Sequence, residues 1–330
     1  MAPDLAAVMI ARDEARCITR AIASLRPFVD RVVVLDTGSR DDTPALAAAA
    51  GAQVFHLPWP DDFSAARNHA LTCADAAWNL IIDADEWIAE GGEALRAFCS
   101  GPPRLGRLCV QSEDDANAAR QQARSWITRL LPAGVRFAGR VHEQAVSPLP
   151  RHDLPVVLGH DGYLTAQRAG KQARNRPLLL AELAAHPGDP YLCFQLGRDD
   201  EAMGNHADAC AWYDRAAPAP DASWHHEWAI RRLHCMGQSG RRHEALNWAA
   251  TLIPTFAQSP DFFFTLGNLS LDAAMADPAR AHSHWLPQAQ AAWTRCLALG
   301  ERPDLNGSVA GRGSWLAQHN LDVLNAALAA

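Results

Sequence analysis

The sequence lacks the glycine-rich signatures of the common nucleotide-binding folds. No G-x-G-x-x-G follows any strand pattern and no G-x-x-x-x-G-K-[ST] occurs in its 330 residues, which disfavours dinucleotide oxidoreductases and P-loop NTPases. Its eight cysteines form neither a C-x-x-C pair nor zinc-type spacing, so a disulfide framework and a structural zinc site are not expected. Reduced thiols acting as small buried hydrophobes fit better, as in a cytoplasmic protein. No stretch approaches twenty uninterrupted apolar residues. The first apolar run, in MAPDLAAVMIARDEA, is too short for a signal peptide or a span and meets a charge at once. The expectation is a cytoplasmic chain with no transmembrane segment. Positive charge is not in excess either. The formal charge is −7 and the pI about 6.0, which argues against nucleic acid as a partner. Arg231-Arg232, with Arg241-Arg242 nearby, reads as solvated helix surface.

What is present is an ordinary globular composition, 48% apolar and 20% charged, long enough for two domains that each bury a core. Residues 5–112 alternate short apolar runs with helical patterns, as βα units do. Strands are expected at residues 5–11, 31–36, 52–57 and 78–83, with helices at about 14–25, after Pro44, and at 63–73. RVVVLD is apolar up to its terminal aspartate, as a buried central strand should be. Asp42 or Thr43 is the expected N-cap before Pro44, and Asp61-Asp62 caps the helix from Phe63. Further extended segments are expected near 106–112 and 124–131, followed by VRFAGRVHEQ and VVLGHDGYL. Ligands of open α/β sheets sit beyond the carboxyl ends of strands. Asp36, Asp83 and the loop after Ala11 occupy three such ends.

From about Arg168 the pattern becomes helices separated by Gly and Pro. Leu196-Gly197, Gly204, Ala209, Tyr213 and Ala216 occupy the small and large positions of a tetratricopeptide-like unit. Leu233 and Gly240 follow Gly197 and Gly204 by 36 residues, and Gly267 follows Leu233 by 34. Such units bury their faces by stacking, so a continuous right-handed array is expected. An irregular helical domain without true repeats is the alternative.

The segment richest in chemistry is IIDADEW, residues 81–87. Two carboxylates flanking one residue at a strand tip make an oxygen-ligand site for Mg²⁺ or Mn²⁺, with a diphosphate completing the shell. Alone the motif also suits a solvated turn. Taken in order, AAVMIARDEA, VVVLDTGSRDDT, DDFSAARNHAL and WNLIIDADEW resemble the inverting glycosyltransferases of family 2, over residues 5–90. DDFSAARN with the later GRVHEQ is similar to the branch of lipopolysaccharide-core glucosyltransferases and bacteriocin peptide S-glycosyltransferases. That branch often continues into an H-x-G-Y segment and a tetratricopeptide-like tail. The resemblance implies an α/β GT-A domain (Rossmann-like, mainly parallel sheet) over residues 1–167. An all-α tetratricopeptide-like domain would follow over residues 168–330.

The resemblance also implies roles. Ala11 and Glu14 would line the nucleoside pocket, Asp36 would contact base or ribose, and Arg67 would face base and phosphates. Asp83 would lie near ribose and metal, Asp85 would ligate the divalent cation, and His160 would complete the metal site, with His142 as a rival. Relatives commonly read K-N-E-E where this chain has Arg12-Asp13-Glu14-Ala15, and an aromatic where it has Asp161. Inverting displacement needs a base opposite the leaving group. Glu143 is the candidate and Glu86 the alternative, whereas a thiol acceptor would need less help. Trp59 and Trp87 are the aromatic residues expected to flank the crevice.

The expected function is transfer of a hexose from a UDP-sugar, UDP-glucose first, to a peptide, protein or glycan. The competing expectation is a catalytically degenerate GT-A and repeat protein that serves as a nucleotide-binding interaction module. A nucleotidyltransferase is disfavoured, since MIARDEA has no glycine for an activating loop.

Overall fold

Local signals set the first elements in a computed structural model of the chain, which describes residues 4–114, 121–160 and 165–329. Strand β1 (Leu5–Ala11) leads to helix α1 (Ile18–Leu25), β2 (Arg31–Asp36), α2 (Thr43–Ala49), β3 (Gln53–His56), α3 (Phe63–Ala74) and β4 (Trp78–Ile81). Asp62 caps α3, its carboxylate accepting from Ala65 N–H at 2.9 Å, and Asp42 stands at the N-cap position of α2 with Pro44 in the first turn. Helix α1 starts at Ile18, later than expected, because residues 15–17 form a turn and Cys17, at φ −126°, still lies outside helical geometry.

Beyond β4 come β5 (Glu86–Glu90), α4 (Ala94–Cys99), β6 (Leu105–Asp114), β7 (Gln121–Pro132), β8 (Arg136–Ala138), β9 (Gln144–Val146), β10 (Arg151–His160) and α5 (Thr165–Ala185). Eight strands form one sheet in the order β3-β2-β1-β4-β7-β6-β10-β5, and β8 pairs with β9 in a separate ribbon. The first four strands are mutually parallel, as are β6 and β10. Strand β7 runs antiparallel to β4, and β5 antiparallel to β10. This is the mainly parallel GT-A arrangement expected from the sequence, with a helical region after it. Strand β5 was not anticipated, and β4 ends at Ile81 rather than at Asp83.

Side chains alternate across strands, so β1 feeds two cores. Leu5, Ala7, Met9 and Ala11 pack with Ile18, Ile22 and Leu25 of α1, whereas Ala6 and Val8 pack with Ala66 and Ala70 of α3. With both faces covered, β1 is apolar throughout.

The chain divides into two compact units: Met1–Arg120 with Ser125–Ala184, and Gln121–Arg124 with Ala185–Ala330. The division after residue 184 falls near the end of α5, where the sequence pattern put it at 167/168. The second unit contains α6 (Pro190–Ala202), α7 (His206–Ala216), α8 (His225–Gln238), α9 (Arg242–Leu252), α10 (Pro260–Ala276) and the short α11 (Pro278–Arg280). A π-turn (Ala281–Trp285), α12 (Leu286–Leu299) and α13 (Trp315–Ala329) complete it. Gly204 and Gly240 make the turns after α6 and α8 with φ of +78° and +82°. Small residues let helices approach closely: a Cβ at Gly197 would overlap Tyr213, at Gly237 Leu269 and at Gly267 Trp293. Among the described residues no helix is long and apolar enough to cross a membrane.

Candidate functional site

Sheet order, more than sequence proximity, assembles the site. Strand β1 lies between β2 and β4, with Ala11 in register with Asp36 and Val8 with Ile81. The carboxyl ends carrying Ala11, Asp36 and the Ile82–Asp83 turn are therefore neighbours. Strand β10 ends at His160, paired with Glu86 of β5 on one side and Ser112 of β6 on the other. Asp161 and Gly162, which continue the H-x-G-Y segment, lie outside the described residues.

Two loops are laced together at the β1–β2 end. Thr37 donates its N–H to Ala11 O at 2.9 Å, and Asp13 Oδ1 accepts from Arg40 N–H at 2.7 Å. Glu14 N–H donates to Thr43 Oγ1 at 2.7 Å. The Glu14 carboxylate accepts from the Cys17 thiol at 3.1 Å, and burial with that carboxylate pushes the thiol up. Asp36 is buried and caps its own turn, accepting from Gly38 N–H at 3.2 Å, with His56 Nδ1 3.5 Å away. His56 had no expected role.

A continuous run of ion pairs forms the floor beside this loop pair. Arg67, on the second turn of α3, bonds Glu143 through Nε and Asp83 Oδ1 through Nη2 at 2.7 Å. Arg129 Nη2, from β7, bonds Asp83 Oδ2 at 2.9 Å and Glu86 Oε1 at 2.5 Å. Burial works against both guanidinium charges, and the carboxylates outweigh it, so both arginines stay charged. Asp83 is likewise opposed by burial, but Arg129 and Arg67 hold its carboxyl well below the usual aspartate range. For Glu86 burial dominates and raises its carboxyl despite Arg129. Arg67 Nη1 and Arg129 Nε are buried donors with no partner among the described residues.

Glu143 reaches this floor because Asn68 ties β8 to α3. Phe137 N–H donates to Asn68 Oδ1 at 2.8 Å, Asn68 Nδ2 donates to Phe137 O at 2.9 Å, and Phe63 N–H donates to Arg140 O at 2.8 Å. His142 then takes a left-handed φ of +51°, a strained turn for a non-glycine residue. The next side chain, Glu143, meets Arg67.

Asp85 is buried, with its Oδ2 3.4 Å from His160 Nε2. Ser112 Oγ lies 3.0 Å from His160 Nδ1, the kind of contact that orients an imidazole so that its other nitrogen can ligate. Oxygen and imidazole donors 3.4 Å apart suit adjacent positions around Mg²⁺ or Mn²⁺, with remaining positions for phosphate or water oxygens. No three His, Cys, Asp or Glu side chains among the described residues form a closed cage. A cation at Asp83 would compete with two guanidinium groups.

The structure thus brings Arg67, Asp83 and Glu143 into one network, sets Asp85 against His160, and places Ala11, Glu14 and Asp36 at the adjoining strand ends. Arg129, Ser112 and Arg174 escaped the sequence reading. Arg174, on α5, sits 5.0 Å over the Phe63 ring, where its charge acts on Glu14, Asp83 and Asp85. The run of intervening residues hides it, although its place beyond His160 was visible. Trp87 is engaged in packing: the Arg20 guanidinium lies 3.9 Å over its ring, and a Cβ at Gly159 would overlap the indole. Trp59 packs edge-on against Phe63 with ring centroids 4.7 Å apart.

Known proteins resemble this chain in parts. A TPR repeat-containing protein of Synechococcus elongatus is 39% identical over 203 residues, covering 57% of this chain and 50% of that protein. The SPbeta prophage-derived glycosyltransferase SunS of Bacillus subtilis is 26% identical over 211 residues, covering 60% of this chain and 49% of SunS. The chain spans about half the length of these curated relatives. Among solved structures, glucosyl-3-phosphoglycerate synthase of Mycobacterium tuberculosis, crystallised with Mn²⁺, UDP and glucosyl-3-phosphoglycerate, is 24% identical. It covers 33% of this chain and 44% of its own, at a TM-score of 0.29. Residues 6–104, which hold Ala11, Glu14, Asp36, Arg67, Asp83 and Asp85, match the family model described as Glycosyl transferase family 2.

Proposed function

We propose that the first unit binds a nucleotide sugar with a divalent cation and transfers the sugar, with inversion, to an acceptor. The reading rests chiefly on one arrangement: the Asp85–His160 pair stands beside the Arg67–Asp83–Arg129 floor, with Arg67, Asp83 and Asp85 inside the residues that the family model matches and Arg129 and His160 beyond them. Asp36 and the Ala11–Glu14 loop would line the nucleoside, and Asp83 would meet its ribose. Asp85 and His160 would hold the Mg²⁺ or Mn²⁺ ion, which neutralises charge on the departing diphosphate. The unpartnered Arg67 Nη1 and the nearby Arg174 supply further positive charge for phosphate oxygens.

The acceptor's hydroxyl or thiol would attack the anomeric carbon from the face opposite the diphosphate. Its proton would pass to Glu143, a carboxylate whose position is fixed by Arg67. A UDP-hexose is the proposed donor, with UDP-glucose first. The helical unit is proposed to be tetratricopeptide-like and to engage a peptide, protein or glycan acceptor, stacked helices being suited to extended ligands.

A thermal-shift panel of nucleotide sugars with and without Mn²⁺ tests this, since ligands that bind the native state raise apparent stability. UDP-hexoses should raise the melting temperature in Mn²⁺, and Asp85→Ala should remove the Mn²⁺-dependent part. Glu143→Gln should keep the donor response and lose transfer. No response to any sugar nucleotide would refute the enzyme reading in favour of an interaction module.

A further inference from the structure

Asp83 is held through its main-chain N–H and both carboxylate oxygens. Its main-chain N–H donates to Glu86 Oε2 at 2.9 Å, Glu86 Oε1 accepts from Arg129 Nη2 at 2.5 Å, and the same Nη2 donates to Asp83 Oδ2 at 2.9 Å. These three bonds close a ring around residue 83. Arg67 takes the remaining carboxylate oxygen from the opposite element. Exposure within this network is uneven: the Asp83 side chain is 34% exposed, whereas those of Arg67, Arg129, Glu86 and Glu143 are 9%, 7%, 3% and 9% exposed. Asp83 is thus the member that presents an edge outward, and the others back it.

We propose that Arg129 is a positioning residue of the nucleotide site, acting through Asp83; the proposal rests on the donor-site reading above. The antiparallel register sets Leu130 of β7 opposite Leu80 of β4, so Arg129 arrives level with the end of β4. A counterion for Glu86 alone would need no bond to Asp83. Sharing one nitrogen between the two carboxylates fixes the direction in which Asp83 offers itself to a ligand. Lysine at this position keeps a positive charge for Glu86 but replaces the planar fork with a shorter-reaching point donor.

UDP affinity of the full chain, measured by titration calorimetry in saturating Mn²⁺, tests the idea. Arg129→Lys is compared with the unaltered protein, and again in an Asp83→Asn background. A cooperative thermal transition verifies folding. Arg129→Lys should weaken UDP about ten-fold in the natural background and less than about two-fold beside Asp83→Asn, because residues acting through one another are not additive. Where Arg129→Lys fails to unfold cooperatively, the pair Arg129→Met with Glu86→Gln, which removes both buried charges, is held to the same criterion. Equal losses in both backgrounds, or unchanged affinity in a folded variant, would overturn the role of Arg129 while leaving the donor site standing. An unaltered protein that binds no UDP would overturn the donor-site reading itself, and this proposal with it.

Discussion

Replacing Arg67 with methionine keeps much of the side chain's volume and removes its charge, leaving two carboxylates with unequal prospects. Asp83 retains Arg129 and is one-third exposed, so solvent and the second guanidinium compensate it. Glu143 is buried to nine-tenths, and Arg67 is its ion-pair partner. Breaking a buried pair from one side costs roughly 3–5 kcal/mol, because the surviving charge is left uncompensated. With Asp83 still paired, the lower end, about 3 kcal/mol, is expected. For a unit of this size that corresponds to a fall of roughly 6–12 °C in melting temperature. Urea denaturation at neutral pH measures it directly. Arg67→Met with Glu143→Gln should then recover more than half of the loss, since the amide has no charge to strand. A single variant as stable as the natural protein, or a double variant whose losses add, would refute the buried-pair argument.

Two further outcomes follow from the same physics. The Asp83 carboxyl is depressed, so its stabilisation is present above the ordinary aspartate value of 3.8 and is lost as pH falls through the native value. Glu86 is raised, so stability declines as pH climbs from 4.5 through its native value. Denaturation midpoints between pH 3 and 8 should show a shallower acid limb in Asp83→Asn and a flatter upper limb in Glu86→Gln; unchanged slopes would contradict the assignment. In the helical unit, Gly267→Ala drives a Cβ into the buried Trp293 indole and should cost about 1–3 kcal/mol by overpacking. Gly204→Ala meets no atom within 4 Å and strains only its φ of +78°, costing about 1–2 kcal/mol. Thermal melts compare the two, and a neutral Gly267→Ala would mean that α10 and α12 are less closely packed than described.

The sequence by itself determined the elements whose signals are local. RVVVLD is a buried strand because each residue before its aspartate is apolar, Asp62 starts α3 because its side chain satisfies a first-turn N–H, and Gly204 and Gly240 end helices because they accept positive φ. The carboxylates at strand ends were legible for the same reason. What tertiary structure decided depends on pairings that leave no local trace. Antiparallel β7 beside β4 delivers Arg129, the β6–β10–β5 order sets Ser112 and Asp85 against His160, and Asn68 draws Glu143 to Arg67 across 76 residues. An arginine in a strand reads as surface until its partners are known. Sequence periodicity reports which face of an element is buried, whereas the charge waiting on that face is set by which strand arrives next to it.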